Sequence, residues 1–535
     1  MEKRTLIALA LSFIVLGFYP LILQKFYPDY YKQNAAARQK SRIEKTVPAA
    51  EIRTGGALAL SPENDLPLYT PDLQLVLNKK DAGIREIAFP GFIDSETHTP
   101  LKLISLNKMP SALALAVRSS GDFTVVTDYQ ASEDKGEWIF SSTALDGRIK
   151  VQKSFVFKEG YTGGLKLHFE NTSESPVEFS YELFVGSGIA PRHTIDSQYI
   201  EGNFFAVRDD KKILKHIKAP HPGKEVPFVD RLQWAAIKDR HFSVVLKPPA
   251  QEEFQGRVLG LSKRDLSVSV LSPRVKLPPH GSADADFLLY IGPNELEPLT
   301  AAGLEDLVNF GKFDMIGKFF VGSLEILHKL LRNYGIAIIV LTAMINLMLF
   351  PLTRVSYMSM KRMQLIQPQM NKLREQHKKS PEKLNKEMME LYRKHKVNPF
   401  GGCVPMIVQI PIFIALYVAL SKSVILINSK LLWIKDLSSP DSVSLPFSLP
   451  VLGNSIHVLP LLMVCAMAIQ QRFTQIKIEG QDPAMEQQQK MMAVMMPVVF
   501  GFIFYQMPSG LVLYWLTNTI LMSLYQFKLK KMTLT

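Results

Sequence analysis

The sequence predicts a polytopic α-helical membrane protein that bears one large all-β domain outside the membrane. Three observations lead to that class. Apolar runs long enough to cross a bilayer occur near the N-terminus and repeatedly after residue 334. Between them, residues 66 to about 293 alternate apolar and polar side chains with a period of two. Lys and Arg gather on one side of the apolar runs, as the positive-inside bias requires.

Taken in order, Lys3 and Arg4 precede an apolar run over residues 5–23, and Gln24-Lys25-Phe26-Tyr27-Pro28 after it makes a poor cleavage site. Residues 1–24 therefore read as an uncleaved transmembrane anchor with a cytosolic N-terminus; a cleaved signal peptide is the competing reading. Residues 25–65 are polar, rich in Ala, Gln, Lys, Pro and Gly, and read as a flexible linker.

Residues 66–317 read as the β domain. Leu73, Leu75 and Leu77 alternate with polar neighbours, and so do Val151, Lys153, Phe155 and Phe157. Leu165, Leu167 and Phe169 repeat the pattern, and Phe287, Leu289 and Ile291 close it. Turn clusters such as Lys158-Glu159-Gly160 and Pro278-Pro279-His280-Gly281 separate the runs. Many short strands with such turns indicate a sandwich of two packed sheets. The period then lengthens. In 318–333, Phe319, Phe320, Leu324, Leu327, Leu330 and Leu331 lie opposite Lys318, Glu325, His328 and Lys329. That is an amphipathic helix suited to the outer membrane–water boundary, or alternatively one packed on the sandwich.

Residues 334–535 contain five further apolar runs, at 335–352, 403–421, about 455–471, 491–506 and 511–527. With the anchor they make six transmembrane helices. Residues 354–398 carry twelve Lys/Arg against four Asp/Glu, which places them in the cytosol with the tail residues Lys528, Lys530 and Lys531. Pro368 and Pro381 divide this segment into the arms of a helical hairpin. Its candidate contact residues are Lys361, Arg362, Lys372, Arg374, Lys378, Lys379, Lys383, Lys386, Arg393 and Lys394. Met358, Met360, Met363, Met370, Met388 and Met389 lie among them, and flexible Met surfaces suit varied apolar partners. A plain topology signal would explain the charge alone.

The formal charge of +13 and pI of about 9.3 point to anionic lipid rather than DNA, because the basic surplus lies beside the spans. The two cysteines, Cys403 and Cys465, both sit in apolar runs and mark neither a disulfide framework nor a metal site. The spans contain no carboxylate, so an Asp/Glu ion relay lacks its parts. With no phosphate-binding Gly loop and no evident acid–base pair, neither a cofactor nor catalytic residues are expected. What the spans do contain is a polar set: Asn346, Gln409, Thr517 and Asn518, with Tyr514 and Trp515 alongside and Gln470 and Gln471 near a span end. Such groups serve either as interhelical hydrogen-bond glue or as the lining of a hydrated groove.

Five motifs then occur in order: Phe350-Pro351-Leu352-Thr353, Gln367-Pro368, Asn398-Pro399-Phe400-Gly401-Gly402-Cys403, Gln409-Ile410-Pro411-Ile412-Phe413 and Pro508-Ser509-Gly510-Leu511-Val512-Leu513-Tyr514. Together they resemble the YidC family of membrane protein insertases. The resemblance implies a five-helix insertase core in the inner membrane, with a hydrophilic groove open to cytosol and lipid, and a periplasmic β-supersandwich. It also implies a cytosolic hairpin that receives nascent membrane proteins, help with their folding, and cooperation with the translating ribosome and with the Sec translocon and its accessory subunits. The family usually carries a groove arginine five residues before the Pro-Leu-Thr motif, where this chain has Asn346. A groove that works by hydration more than by fixed charge is the expectation. The alternatives are a solute transporter, against which the missing carboxylates argue, and a sugar-binding or enzymatic module in the sandwich.

Two apolar stretches are short: residues 457–469 and 491–505 span roughly 20 and 22 Å at 1.5 Å per residue, against a hydrocarbon core of about 30 Å. Local thinning of the bilayer is the expected accommodation. Lipid of unchanged thickness around the reconstituted protein would contradict it.

Overall fold

The computed structural model describes residues 65–531, apart from 95–97, 106–109, 135–136, 158–159, 188, 190–198, 210, 229–230, 251, 311–312, 378–379, 396, 398–403, 450–452 and 475–482. The anchor expected at 1–24 and, but for Asp65, the linker at 25–65 lie outside the described residues. So do Lys378, Lys379 and the turn at 398–403. The described chain divides into two compact units. One comprises residues 65–322 with 415–438, the other 323–414 with 439–531.

The first unit is built on antiparallel sheets, and period two is the reason. In the strand Ile149–Phe157, residues 149, 151, 153 and 155 are buried and those between are not. Register propagates the pattern: Leu165 pairs with Phe155 on one side and Phe287 on the other. The largest sheet has nine strands, ordered Lys211–Lys218, Glu201–Arg208, Leu232–Lys238, Phe242–Lys247, Ser282–Pro293, Thr162–Asn171, Ile149–Phe157, Glu137–Ala144 and Gln130–Asp134. A seven-stranded sheet is centred on Asp265–Leu271 and Val177–Ser187, and a four-stranded meander runs from Asp65 to Ser105. Side chains of all three sheets share one core that includes Leu75, Phe89, Phe155, Phe179, Leu183, Val268 and Leu289.

The outer face of the nine-stranded sheet is covered separately. Phe205, Trp234 and Tyr290 pack under Leu299, Leu304, Leu307 and Phe310, from helix α1 (Leu296–Ala301) and the turns after it. Residues 415–438, read from sequence as part of the helical core, group with the β unit. Val424 and Ile427 enter the main core, and the side-chain amide of Asn428 pairs with both backbone groups of Ile93. Arg240 Nε donates to the carbonyl of Ser421, and Lys422 Nζ to that of Asn309 at 2.8 Å.

Lys153 and Glu201 are two charged groups of this unit whose proton affinity their surroundings shift. Lys153 occupies a core position of the alternation with no exposed surface, and its Nζ donates to the carbonyls of Ala82, at 2.6 Å, and Leu113. Burial pushes its ammonium down to about 7, against the opposing pull of Asp81. Burial also works to raise the Glu201 carboxyl, but the hydrogen bond from His216 and the charge of Lys238 outweigh it and hold that group at about 2.

Helix α2 (Asp314–Leu331), which the division at Gly322 splits between the two units, occupies the place of the amphipathic helix expected at 318–333. Phe320 and Leu324 are buried on one side, while Met315, Phe319, Ile326 and Leu330 form an exposed stripe. Helix α3 (Tyr334–Leu365) runs without a break through Pro351, so the hairpin expected from residue 354 begins only after Leu365. Its arms are α4 (Gln367–Gln376) and α5 (Pro381–Lys394), each opened by the proline that sequence identified. Met363, Met370 and Met388 pack with Ile366, Leu391, Tyr392 and Val397 as the hairpin's own core. His377 meets Glu387 at 3.2 Å between the arms. Helices α6 (Val404–Lys422), α7 (Val458–Thr474), α8 (Pro483–Phe504) and α9 (Ser509–Lys531) follow, with a strand pair, Val443–Leu449 and Gly453–Ile456, before α7. Among the described residues, only the α3 segment Tyr334–Met363 is both long and apolar enough to cross a membrane by itself. Ile407–Lys422, Val458–Arg472 and Ala493–Phe504 are shorter apolar helices.

The Lys153 environment sets a pH dependence. The unfolded chain binds the proton up to about pH 10.4 and the folded one only up to about 7. Burial of the cation therefore destabilises fully below pH 7, and stability of the β unit should rise from pH 7 towards 10 by up to about 1.4 kcal/mol per pH unit. Denaturant titrations of wild type and Lys153→Met should show a shallower rise in the variant, since buried Lys238, whose proton affinity burial also lowers, remains.

Candidate functional site

The polar residues singled out in the spans lie on four helices, α3, α6, α7 and α9. On α3, Thr342, Asn346, Thr353, Ser356 and Tyr357 are all buried. At 100° per residue they fall within one narrow stripe, while Met344, Leu347 and Met348 form the exposed side. Only Asn346 of that stripe was chosen from sequence; the spacing of 342, 346, 353 and 357 carried the signal for the others. Thr342 and Thr353 return their hydroxyls to carbonyls one turn back, at 2.6 Å and 3.0 Å, and so satisfy themselves within the helix.

Asn346 is different. Its amide nitrogen donates to Thr342 O and to Asn518 Oδ1, both at 2.9 Å, which bridges α3 to α9. One turn earlier on α9, Tyr514 OH accepts a hydrogen bond from Gln409 Nε2 of α6. Tyr514 and Asn518 are four residues apart and share a face, so α9 is the hub to which both other helices bond. Tyr514 is buried, whereas Gln409, Thr517 and Asn518 are half-buried. Trp515, also half-buried, closes the seam with aromatic contacts to Phe413 at 4.9 Å and to Phe500 and Phe504 at 5.3 Å each. Gln470 and Gln471 are half-buried on α7. Ser509 donates from both its backbone N–H and its hydroxyl to Ser439 O, fixing the start of α9.

In the hairpin, Arg362, Lys372, Lys383, Lys386, Arg393 and Lys394 are exposed, and Lys361 and Arg374 are half-buried. Its exposed face is thus basic, while Met363, Met370 and Met388 point inward and Met389 is exposed. Among the described residues no group of His, Cys, Asp and Glu could hold a metal ion.

Comparison with known proteins bears on this arrangement. The family model described as "60Kd inner membrane protein" matches residues 326–534, and that of the "YidC periplasmic domain" matches 66–322. A membrane protein insertase YidC from Geotalea daltonii is 34% identical, with 97% of each chain covered. One from Geobacter metallireducens is 30% identical over 99% of this chain and 98% of its own. The chain belongs to the YidC family. Among solved structures, YidC from Thermotoga maritima is similar over 87% of this chain and 98% of that one, at 15% identity and a TM-score of 0.31. The junction between the two YidC models, residues 322 to 326, falls where the first stretch of the β unit ends, at Gly322. Its YidC periplasmic part is rich in β structure and its C-terminal part is helical.

The bridge between α3 and α9 gives a measurable coupling. In a double-mutant cycle of Asn346→Leu and Asn518→Leu, thermal unfolding in detergent should show a coupling of about 0.6 kcal/mol, typical of interhelical hydrogen bonds in membranes. Additive effects would mean that the two amides act independently.

Proposed function

We propose that this protein is a membrane protein insertase that receives nascent apolar segments at its basic cytosolic hairpin and passes them along a polar intramembrane groove into lipid. The names of its relatives support the activity. The observation that carries the mechanism is the pair of bonds that join Asn346 to Asn518 and Gln409 to Tyr514 across three mostly apolar helices, with the half-buried Thr517 beside Asn518 in the chain. A charged residue at mid-membrane costs about 2.5–3.5 kcal/mol on insertion scales. Water held at Gln409, Thr517 and Asn518 lowers that barrier for a short polar flank. Transfer of the substrate's span into lipid then drives the step, at about 25 cal/mol per Å² of apolar surface. No covalent chemistry is involved.

In this reading Asn346 acts through Asn518, keeping α3 and α9 in register beside the wet residues, while Tyr514 and Trp515 form the wall that guides the emerging helix. The topology has six transmembrane helices in the inner membrane, both termini cytosolic, and the β domain, a supersandwich, periplasmic. The exposed stripe of α2 lies at the outer interface. Translating ribosomes, anionic lipids, and the Sec translocon with its accessory subunits are the expected partners. Assistance in folding follows from holding a span before its release.

Depletion rescue tests this in cells lacking their own insertase. Wild type should restore growth, and Asn346→Leu and deletion of residues 370–394 should not. Rescue by Asn346→Arg but not wild type would mean that the host's substrates require a fixed charge. Failure of wild type and Asn346→Arg alike would favour a transporter, to be tested by solute uptake in proteoliposomes.

A further inference from the structure

The segment after α6 ends in a feature that insertion does not explain. Leu431 and Ile434 exchange backbone hydrogen bonds at 2.9 and 3.0 Å, making Leu432-Trp433 the tip of a two-residue turn. Leu432 holds a φ of 53°, a left-handed conformation that a bulky apolar residue adopts only at a cost. Its side chain is 84% exposed, and Trp433 is exposed beside it. Lys430 and Lys435 flank the tip and are exposed too.

The base of the turn is firmly held. Ile434 and Leu437 are buried, Leu437 N–H bonds to Ser429 O at 3.1 Å, and Val424, Ile427 and Asn428 lock the preceding residues into the β unit. A fixed apolar point with a Trp, bracketed by two lysines and only eight residues beyond the end of an apolar helix at Lys422, has the composition of a membrane-interface anchor.

We infer that the turn Lys430–Lys435 is a lipid foot of the β unit. Leu432 and Trp433 enter the headgroup–acyl boundary of the outer leaflet, and the two lysines contact phosphate groups of anionic lipid. The charge complementarity and the closeness of the span select phospholipid as the occupant. The inference rests on the proposed topology, in which residues 423–438 lie outside the cytosol.

The test uses the full-length chain with Trp433 as sole tryptophan (Trp138→Phe, Trp234→Phe, Trp515→Phe), in vesicles of phosphatidylcholine and phosphatidylglycerol. Phosphatidylcholine brominated near the headgroup end of its chains should quench Trp433 several-fold more than the same lipid brominated near the methyl end. Lys430→Glu with Lys435→Glu should reduce that quenching. Emission untouched by either bromolipid would overturn the inference, whether aqueous iodide reaches the indole, meaning a water-facing turn, or not, meaning a protein-covered one. As a check that does not need the Trp replacements, Leu432→Cys carrying a polarity-sensitive dye, with Cys403→Ser and Cys465→Ser, should shift to the blue on reconstitution; an unshifted dye counts against the foot. Membrane-impermeant maleimide on Lys435→Cys reads the side independently. Labelling only from the cytosolic face would sink the topology and the foot with it. Outside labelling without lipid quenching would sink the foot alone.

Discussion

A polar group within hydrocarbon must find its partner inside the protein, since an unmet one costs several kcal/mol. That constraint organises the helical unit. Thr342, Thr353, Thr519 and Ser523 meet it by donating a hydroxyl hydrogen to the carbonyl one turn back, which leaves no donor for a neighbour. Asn346, Gln409, Tyr514 and Asn518 meet it across helices. An asparagine amide has two donors and two acceptor sites, and the two bonds from Asn346 use only its donors. Glue and groove are therefore compatible roles for one set of residues. The bonds made fix the helices, and the capacity left over on Asn346 Oδ1 and on the half-buried Gln409 and Asn518 can hold water.

The β unit meets the same constraint with a charge. Lys153 lies where alternation calls for an apolar side chain, and two backbone carbonyls accept its hydrogen bonds. Those carbonyls belong to Ala82, in the turn between the second and third strands of the four-stranded meander, and to Leu113, just before the strand Leu115–Arg118 of the seven-stranded sheet. One side chain thus joins segments 71 and 40 residues distant in sequence. The cost is the desolvation that lowers its affinity for the proton, and the return is a fixed geometry at two loop ends.

Much of this was legible because local physics set it. The strands around Val151, Leu165 and Phe287 follow from period two, and the hairpin arms from Pro368 and Pro381, whose missing N–H suits a first helical turn. The intramembrane amides stood out from their apolar surroundings. Pairings at long range did not. Asn346 and Asn518 are 172 residues apart, and no pattern in either helix specifies the other. The order of the nine-stranded sheet and the entry of Val424 and Ile427 into the β core likewise depend on packing between distant segments. Sequence also ended the apolar run at 352 and began the hairpin at 354, whereas α3 runs through Pro351 and on to Leu365.

That last difference alters the mechanical picture. A proline inside a helix removes one backbone hydrogen bond and crowds the carbonyl four residues back, here Leu347, whose side chain is on the exposed face of α3. The loss stays local and the helix continues. At 1.5 Å per residue, the 32 residues of α3 extend about 48 Å, well beyond a hydrocarbon core of about 30 Å. Its N-terminal half carries Asn346, and its C-terminal end supplies Met363 to the hairpin core. The polar seam and the base of the basic hairpin are therefore parts of one continuous helix. No loop lies between the base of the hairpin and Asn346 with its bond to α9.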